Sequence, residues 1–332
     1  MLQTFNSIEI CRLSLVIGAF VAIKYKDRYG VIPGGIIVPG FIITLLLISP
    51  LWCATIIGLS FPVYWLYKKF LDRTDYKRRT PMYILAFLSI AIANLIALMY
   101  LHLGWLTPSL DSLSGTMIPA VIAFTFTKQK ISRVVRGMVI STLITILLVS
   151  CLYVVGTTLL NLDFDFLSSI YVGKETIEIK HSLVQFYIAL GIGYFFYHYQ
   201  DIRSGGYLIA PVAAALLAQP ISAIAFFGGC ILIYLLTQKI CQITLLVGLK
   251  RYTMVLLLCT IYIWFLELIC VFLDSSILPF QGSNIFVIIA MLSYVNDGIL
   301  YGEQNIIKFM YYTVLISFVT LMTIRLFALI FI

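Results

Sequence analysis

The chain has 332 residues, of which 62% are hydrophobic and 11% charged, and its formal net charge is +8. Its mean hydropathy of +1.05 lies far above that of a soluble globular protein. These values exclude a soluble globular protein and predict an all-α polytopic membrane protein, for which we expect no nucleic-acid partner.

The apolar runs between charge clusters predict about twelve membrane segments. They cover residues 8–23, 31–48, 51–67, 82–103, 113–127, 137–160, 182–197, 207–218, 221–236, 253–273, 285–296 and 309–331. Several are shorter than the ~20 residues that a helix needs to cross the hydrocarbon core of a bilayer. Short or broken helices are therefore expected among them.

The second segment carries an unusual density of glycine and proline in the stretch YGVIPGGIIVPGFI. These residues are Gly30, Pro33, Gly34, Gly35, Pro39 and Gly40. Proline has no backbone N–H and glycine weakens a helix, so backbone groups are freed at membrane depth, where lipid cannot satisfy them. We expect the break to lie in the interior or to line a cavity; alternatively, the small residues only allow close helix packing.

Lysine and arginine fall mainly on one side of the predicted segments. All but Arg12, Lys174, Lys180 and Arg325 lie on that side, which makes it the cytoplasmic one and places both termini outside. The residues singled out there are Arg78, Arg79, Lys128, Lys130, Arg133 and Arg136, with the turn residue Gln129. Such cations bind anionic lipid headgroups or form a docking and guiding surface for an acidic partner or polymer.

The chain repeats itself at an offset of 172 residues, where RSGGYLIAPVAA lies over VIPGGIIVPGFI. The second copy carries Arg203, Gly205, Gly206, Pro211, Lys250 and Arg251. This pattern predicts a tandem duplication of two six-segment repeats, at residues 1–160 and 182–332, with an outward-facing linker at 161–181. A fainter echo, SGTMIPAVI with Gly115 and Pro119, resembles GGIIVPGFI and indicates a possible inverted pair within the first copy.

Glu267 is the carboxylate that lies deepest in an apolar run, YIWFLELICVF. It is either a proton or cation site or the partner of a nearby arginine or tyrosine. The sequence contains no phosphate-binding loop, no paired carboxylates on one helix face and no nucleophile with a base at a recognisable spacing. We therefore expect no catalytic residue, no metal site and no cofactor in this chain.

The motif Gly30-x-x-Pro33-x-Gly35-x-x-x-Pro39-Gly40 resembles the signature of CapC or PgsC, the small membrane proteins of poly-γ-glutamate capsule synthesis. The resemblance continues through YKRRTPMYIL and MIPAVIAFTFTKQK and covers most of residues 10–156. The second half is similar to the same family more loosely, through RSGGYLIAP, GLKRYTMVLLL and SYVNDG. The chain has about twice the usual length of the family and looks like two fused copies.

The resemblance implies a multi-pass subunit of the bacterial inner membrane that helps polymer elongation or passage. Its implied partners are a cytoplasmic Mur-ligase-like, ATP-dependent amide ligase and an extracytoplasmic polymer-handling subunit. ATP and Mg²⁺ are then expected only on the ligase. An alternative is a secondary transporter of a small anionic solute with its site at the broken helices.

Overall fold

A computed structural model of the chain describes residues 7–70, 80–104, 115–159, 220–273, 280 and 284–302, with scattered residues in 187–199 and 304–323. Across these residues the regular secondary structure is helical and contains no strand, which confirms the predicted all-α class. The chain divides into two compact units, Met1–Gly173 and Lys174–Ile332.

The described part of the first unit contains six α-helices and one 3₁₀ turn. They are α1 (Ser7–Tyr29), α2 (Val38–Ile48), α3 (Pro50–Phe70), α4 (Thr80–His102), the turn Gly115–Met117, α5 (Ile118–Lys128) and α6 (Ile131–Leu159). The longer helices of the second unit that the structure describes are α7 (Pro220–Thr244), α8 (Gly248–Phe272) and α9 (Asn284–Tyr301).

Five of these helices are long and apolar enough to cross a membrane: α3, α4, α6, α7 and α8. Two shorter apolar helices, Val38–Leu47 and Val287–Tyr301, fall within α2 and α9. This confirms the membrane character predicted from composition. The count of twelve segments stays a prediction, because the one expected at 207–218 lies outside the described residues.

In the first unit, helices that are distant in sequence pack against one another. α1 packs on α2 and α6, while α3 packs on α4 and α5, and α2 also contacts α3 and α6. The closest approach is between α1 and α2, where a Cβ on Gly18 would lie 2.6 Å from the Cα of Gly40. Glycine at both positions lets two backbones meet where any side chain would hold them apart.

In the second unit, α7, α8 and α9 pack against one another pairwise. The hydroxyl of Tyr262 in α8 donates a hydrogen bond of 2.7 Å to the carbonyl of Ala225 in α7. A Cβ on Gly229 would lie 2.6 Å from the Cε of Met291 in α9, so this glycine admits both neighbouring helices.

Arg12 and Glu9 form a buried ion pair within α1. The Arg12 side chain is 0% exposed, and its Nη1 lies 2.9 Å from Oε1 of Glu9, one turn earlier, which is also buried. The i, i+3 spacing places both side chains on one face of the helix. The position of Arg12 on the outer side or at its membrane boundary stays a prediction.

Candidate functional site: crossed broken segments and a basic end

The first break, residues 30–37, connects α1 to α2 without helical structure. Gly30 ends α1 with φ +68°, and its N–H bonds to the carbonyl of Lys26 at 2.7 Å, as glycine does after many helix C-termini. Gly34 and Gly35 have φ of +69° and +144°, values that other residues rarely adopt. The predicted interruption is therefore a real change in backbone conformation.

Both central glycines of the first break also lack room for a side chain. A Cβ on Gly34 would lie 2.5 Å from Sδ of Met138 in α6, and one on Gly35 would lie 2.7 Å from Cγ1 of Val121 in α5. Pro33, Gly34 and Gly35 are all buried. The break is thus covered by α5 and α6.

Polar groups from α5 and the residue after it satisfy the backbone of the first break. The carbonyl of Gly34 accepts a hydrogen bond of 3.1 Å from Oγ1 of Thr125. The N–H of Ile32 donates to Oε1 of Gln129 at 3.1 Å. Irregular backbone at membrane depth is tolerated only where protein or water replaces the lost helical bonds, and here protein side chains do so.

The two short helices α2 and α5 start in the same way. Each has 11 residues with proline in second place, Pro39 and Pro119, which lie 80 residues apart. Proline suits the first turn because its missing N–H would have no helical partner there. The residues that follow them, Ser49 and Gln129, are both extended and donate their N–H four residues back.

Each interrupted segment is held by a serine from the long helix that precedes it. Ser14 Oγ of α1 donates to the carbonyl of Gly40 at 3.1 Å. Ser89 Oγ of α4 donates to the carbonyl of Thr116 at 2.6 Å. Since Ser14 and Ser89 are the eighth and tenth residues of 23-residue helices, both short helices start near the middle of the unit.

The two interrupted segments run antiparallel where they cross. Gly34, before α2, faces Ile122 and Thr125 in α5, whereas Gly115, before α5, lies against Leu45 near the end of α2. Pro39 and Pro119 lie between these contact points along their own segments. Gly40, Gly115 and both prolines are buried, so the crossing is part of the interior of the first unit.

Nine of the ten lysines and arginines that the structure describes in the first unit, all except Arg12, lie at one end of it, which we call the basic end. α1, α3 and α5 end there and α6 begins there. Its exposed or half-exposed cations are Lys24, Lys26, Arg28, Lys68, Lys69, Lys128, Lys130, Arg133 and Arg136. The helix dipole favours cations at helix C-termini such as those of α1, α3 and α5. Asp27 is the one carboxylate among the described residues of the basic end.

Ring contacts fix the relative depth of α3 and α5 at the basic end. Phe126 of α5 lies 5.5 Å from Phe61 and 5.8 Å from Tyr64, both in α3, between ring centroids. Lys68 Nζ lies 6.0 Å from the ring centroid of Tyr64, and Lys128 Nζ lies 4.0 Å from that of Phe124. The two lysines therefore lie at the same end of the unit, although they are 60 residues apart in sequence.

Several predicted site residues fall outside the described residues: Arg78, Arg79, Arg203, Gly205, Gly206 and Pro211. In the second unit, Lys250 is exposed and Arg251 Nη2 donates to Oδ1 of Asn296 at 3.5 Å. Glu267 is 3% exposed within α8. Asp297, in the stretch SYVNDG, is buried inside α9.

Sequence analysis missed the polar residues that hold the breaks, namely Ser14, Ser89 and Thr125. A signal for one of them was available, because Ser14 and Gly18 stand four residues apart in α1, the small-residue spacing of closely packed membrane helices. Ser89 and Thr125 have no such pattern, since their partners come from distant parts of the chain.

Replacing Thr125 with valine tests whether the first break depends on its hydrogen bond. We expect Thr125→Val to lower the free energy of unfolding by about 1–3 kcal/mol, because the Gly34 carbonyl loses this donor while buried. Thr127→Val is the matched control, since the Thr127 hydroxyl is exposed and bonds only within its helix to the Phe124 carbonyl at 2.7 Å. Reversible unfolding in mixed micelles measures both, and equal stabilities would contradict the assigned role.

Residues 17–135 match the family model described as capsule biosynthesis CapC. The matched region runs from α1 into the first turns of α6 and so contains both breaks and most cations of the basic end. The predicted resemblance of this region to the CapC family is thereby confirmed, whereas the second copy stays a prediction. No curated protein and no solved structure gave a significant match to the chain.

Proposed function

We propose, from the match of residues 17–135 to the capsule biosynthesis CapC family, that this chain is a non-catalytic membrane subunit of a complex that makes an anionic polyamino acid. Its role is to anchor a cytoplasmic ATP-dependent amide ligase and to aid elongation or passage of a poly-γ-glutamate-like polymer. ATP and Mg²⁺ then belong to the ligase, and an extracytoplasmic subunit handles the emerging polymer.

The single observation that carries this proposal is the basic end of the first unit, which lies within the matched region or directly beside it. The described residues of the basic end include nine cations and one carboxylate, Asp27. A surface of one sign attracts a polyanion or an acidic protein face and raises its local concentration. We place this surface at the cytoplasmic face of the inner membrane, with both termini outside, as the positive-inside rule predicts.

We further propose that the chain contains two tandem repeats and that the first is itself an inverted pair. α3, α4 and α5 make the same set of pairwise contacts as α7, α8 and α9, and α3 and α7 both begin at a proline. Within the first unit, α1, α2 and α3 can be matched in order with α4, α5 and α6. Under this match the packing of α1 on α6 corresponds to the packing of α4 on α3. Both relations support the repeats without fixing the number of crossings.

The proposed function is tested by recovery of the ligase with the tagged full chain from solubilised membranes. We expect the wild-type chain to retain a cytoplasmic ATP-dependent ligase and Arg78→Gln/Arg79→Gln to retain several-fold less of it, with less polymer at the cell surface. The matched control is Arg78→Lys/Arg79→Lys, which keeps both charges. A chain that never retains a ligase, and whose deletion leaves surface polymer unchanged, would refute the function.

The crossing of α2 and α5 favours one alternative, a secondary transporter of a small anionic solute, because transporters build midplane sites from discontinuous helices. Glu267, buried in α8, is the ionisable residue to test for it. Uptake into proteoliposomes that depends on an ion gradient and disappears in Glu267→Gln would favour this alternative. Ligase retention without any such uptake would favour the capsule subunit.

A further inference from the structure

A groove on the first unit runs from the basic end toward the middle of the unit. It encloses a cavity of about 300 Å³ between α2, α3, α5 and α6, a volume at the lower limit of typical ligand sites. Its walls are almost entirely apolar and include Phe61, Phe126, Val139 and Leu143. Val139 and Leu143 are more than half exposed on α6, so the groove opens sideways from the unit.

Two cations extend the groove-lining faces of α3 and α6 toward the basic end. On α3, Ile57, Phe61, Tyr64 and Lys68 follow one another at spacings of four, three and four residues. Lys68 therefore lies on the same face of the helix as the other three. Arg136 continues the face of α6 formed by Val139 and Leu143, at spacings of three and four. Both cations are exposed, and each therefore lies beyond the apolar wall of its own helix.

A neighbouring cation, Lys69, marks the level of the lipid headgroups. Lys69 Nζ lies 4.7 Å above the ring centroid of Trp65, which is 56% exposed. Exposed tryptophan and lysine of this kind are typical of the membrane–water interface. Because Lys68 adjoins Lys69, the cationic mouth of the groove lies at headgroup level and the cavity lies at acyl-chain level.

We infer that this groove binds one anionic phospholipid, with an acyl chain in the cavity and the phosphate between Lys68 and Arg136. The apolar wall would contact the acyl chain, and the two cations would bind the negatively charged headgroup. This site is more specific than the general attraction of a basic surface to anionic lipid, and it stands independently of the proposed capsule function.

The site is tested on the purified full chain, delipidated in detergent and titrated with fluorescent phosphatidylglycerol or phosphatidylcholine. We expect one saturable phosphatidylglycerol site per chain and weaker phosphatidylcholine binding. Lys68→Gln and Arg136→Gln each weaken phosphatidylglycerol binding roughly 5-fold and the double variant about 30-fold, since each surface cation contributes on the order of 1 kcal/mol. The matched controls Lys69→Gln and Arg133→Gln stay within about twofold of wild type.

A second pair of variants tests the acyl-chain position. Val139→Trp fills the groove and abolishes the saturable site, while Leu147→Trp, on the same helix but outside the cavity lining, retains it.

Three results would overturn the inference: equal binding of both lipids, equal losses in the control variants, or retained binding in Val139→Trp. So would a change of oligomeric state in Val139→Trp without loss of lipid, which would assign the groove to a second copy of the chain. Binding of a soluble glutamate oligomer that depends on Lys68 and Arg136, with unchanged phosphatidylglycerol binding, would assign these cations to polymer instead.

Discussion

Arg12→Met is expected to lower the free energy of unfolding of the protein by about 3–5 kcal/mol. The Arg12 side chain is 0% exposed, and its guanidinium bonds to the Glu9 carboxylate at 2.9 Å. Removing one member of a buried ion pair leaves the other charge buried without its main compensation. Equilibrium unfolding of the purified chain in mixed micelles of mild detergent and dodecyl sulfate measures the change.

Two further variants separate the ion pair from a general effect of removing charge. Lys24→Met removes an exposed cation from the same helix and is expected to change the free energy of unfolding by at most about 0.5 kcal/mol. Glu9→Leu/Arg12→Met removes both charges and is expected to recover most of the loss, because well-packed apolar side chains can replace a buried pair. If Arg12→Met were as stable as Lys24→Met, the buried pair would have no part in holding α1 in place.

Gly40→Ala is expected to lower the free energy of unfolding by about 1–3 kcal/mol. The added Cβ would meet the carbonyl oxygen of Ser14 and would lie 2.7 Å from the Cα of Leu15. Both obstacles are backbone atoms of α1, so no side-chain rotation can relieve the clash. The α1–α2 crossing must open, and the hydrogen bond from Ser14 to the Gly40 carbonyl is lost with it.

Gly58→Ala provides the matched control for the α1–α2 crossing. Nothing lies within 4 Å of a Cβ on Gly58, which is inside α3 and exposed. Alanine there is expected to raise the free energy of unfolding by about 0.5–1 kcal/mol, because glycine is the poorer helix former. Opposite signs for the two substitutions would establish the close approach, and a neutral Gly40→Ala would contradict it.

Much of the first unit follows from local sequence rules. The Gly-Pro stretch predicted a break in the second segment, and the structure has a non-helical stretch at residues 30–37 before a short helix with Pro39 in second place. The echo of this stretch also begins a short helix, with Pro119 in second place. The charge clusters predicted helix ends, and Lys26, Lys68 and Lys128 lie in the last turns of their helices. Both rules depend on properties of single residues, namely a missing N–H, free φ rotation or the cost of charge in lipid.

The partners of the interrupted segments could not be predicted in this way. The bond from Thr125 to the Gly34 carbonyl spans 91 residues, and the bond from Ile32 to Gln129 spans 97. Gln129 was singled out for its place in a basic turn, yet its described contact satisfies the backbone of the first break. Long-range hydrogen bonds of this kind depend on helix packing, which hydropathy does not encode.

The sequence by itself determined the membrane class, the positions of the breaks and the concentration of cations in a few clusters, because each follows from how residue types interact with lipid or with their own backbone. Only the tertiary structure decided that the two interrupted segments cross, that Arg12 is buried with Glu9, and that one apolar groove lies between α2, α3, α5 and α6. The physical reason is that these relations join side chains from different helices, and the helices are positioned by close packing at glycines such as Gly18 and Gly40.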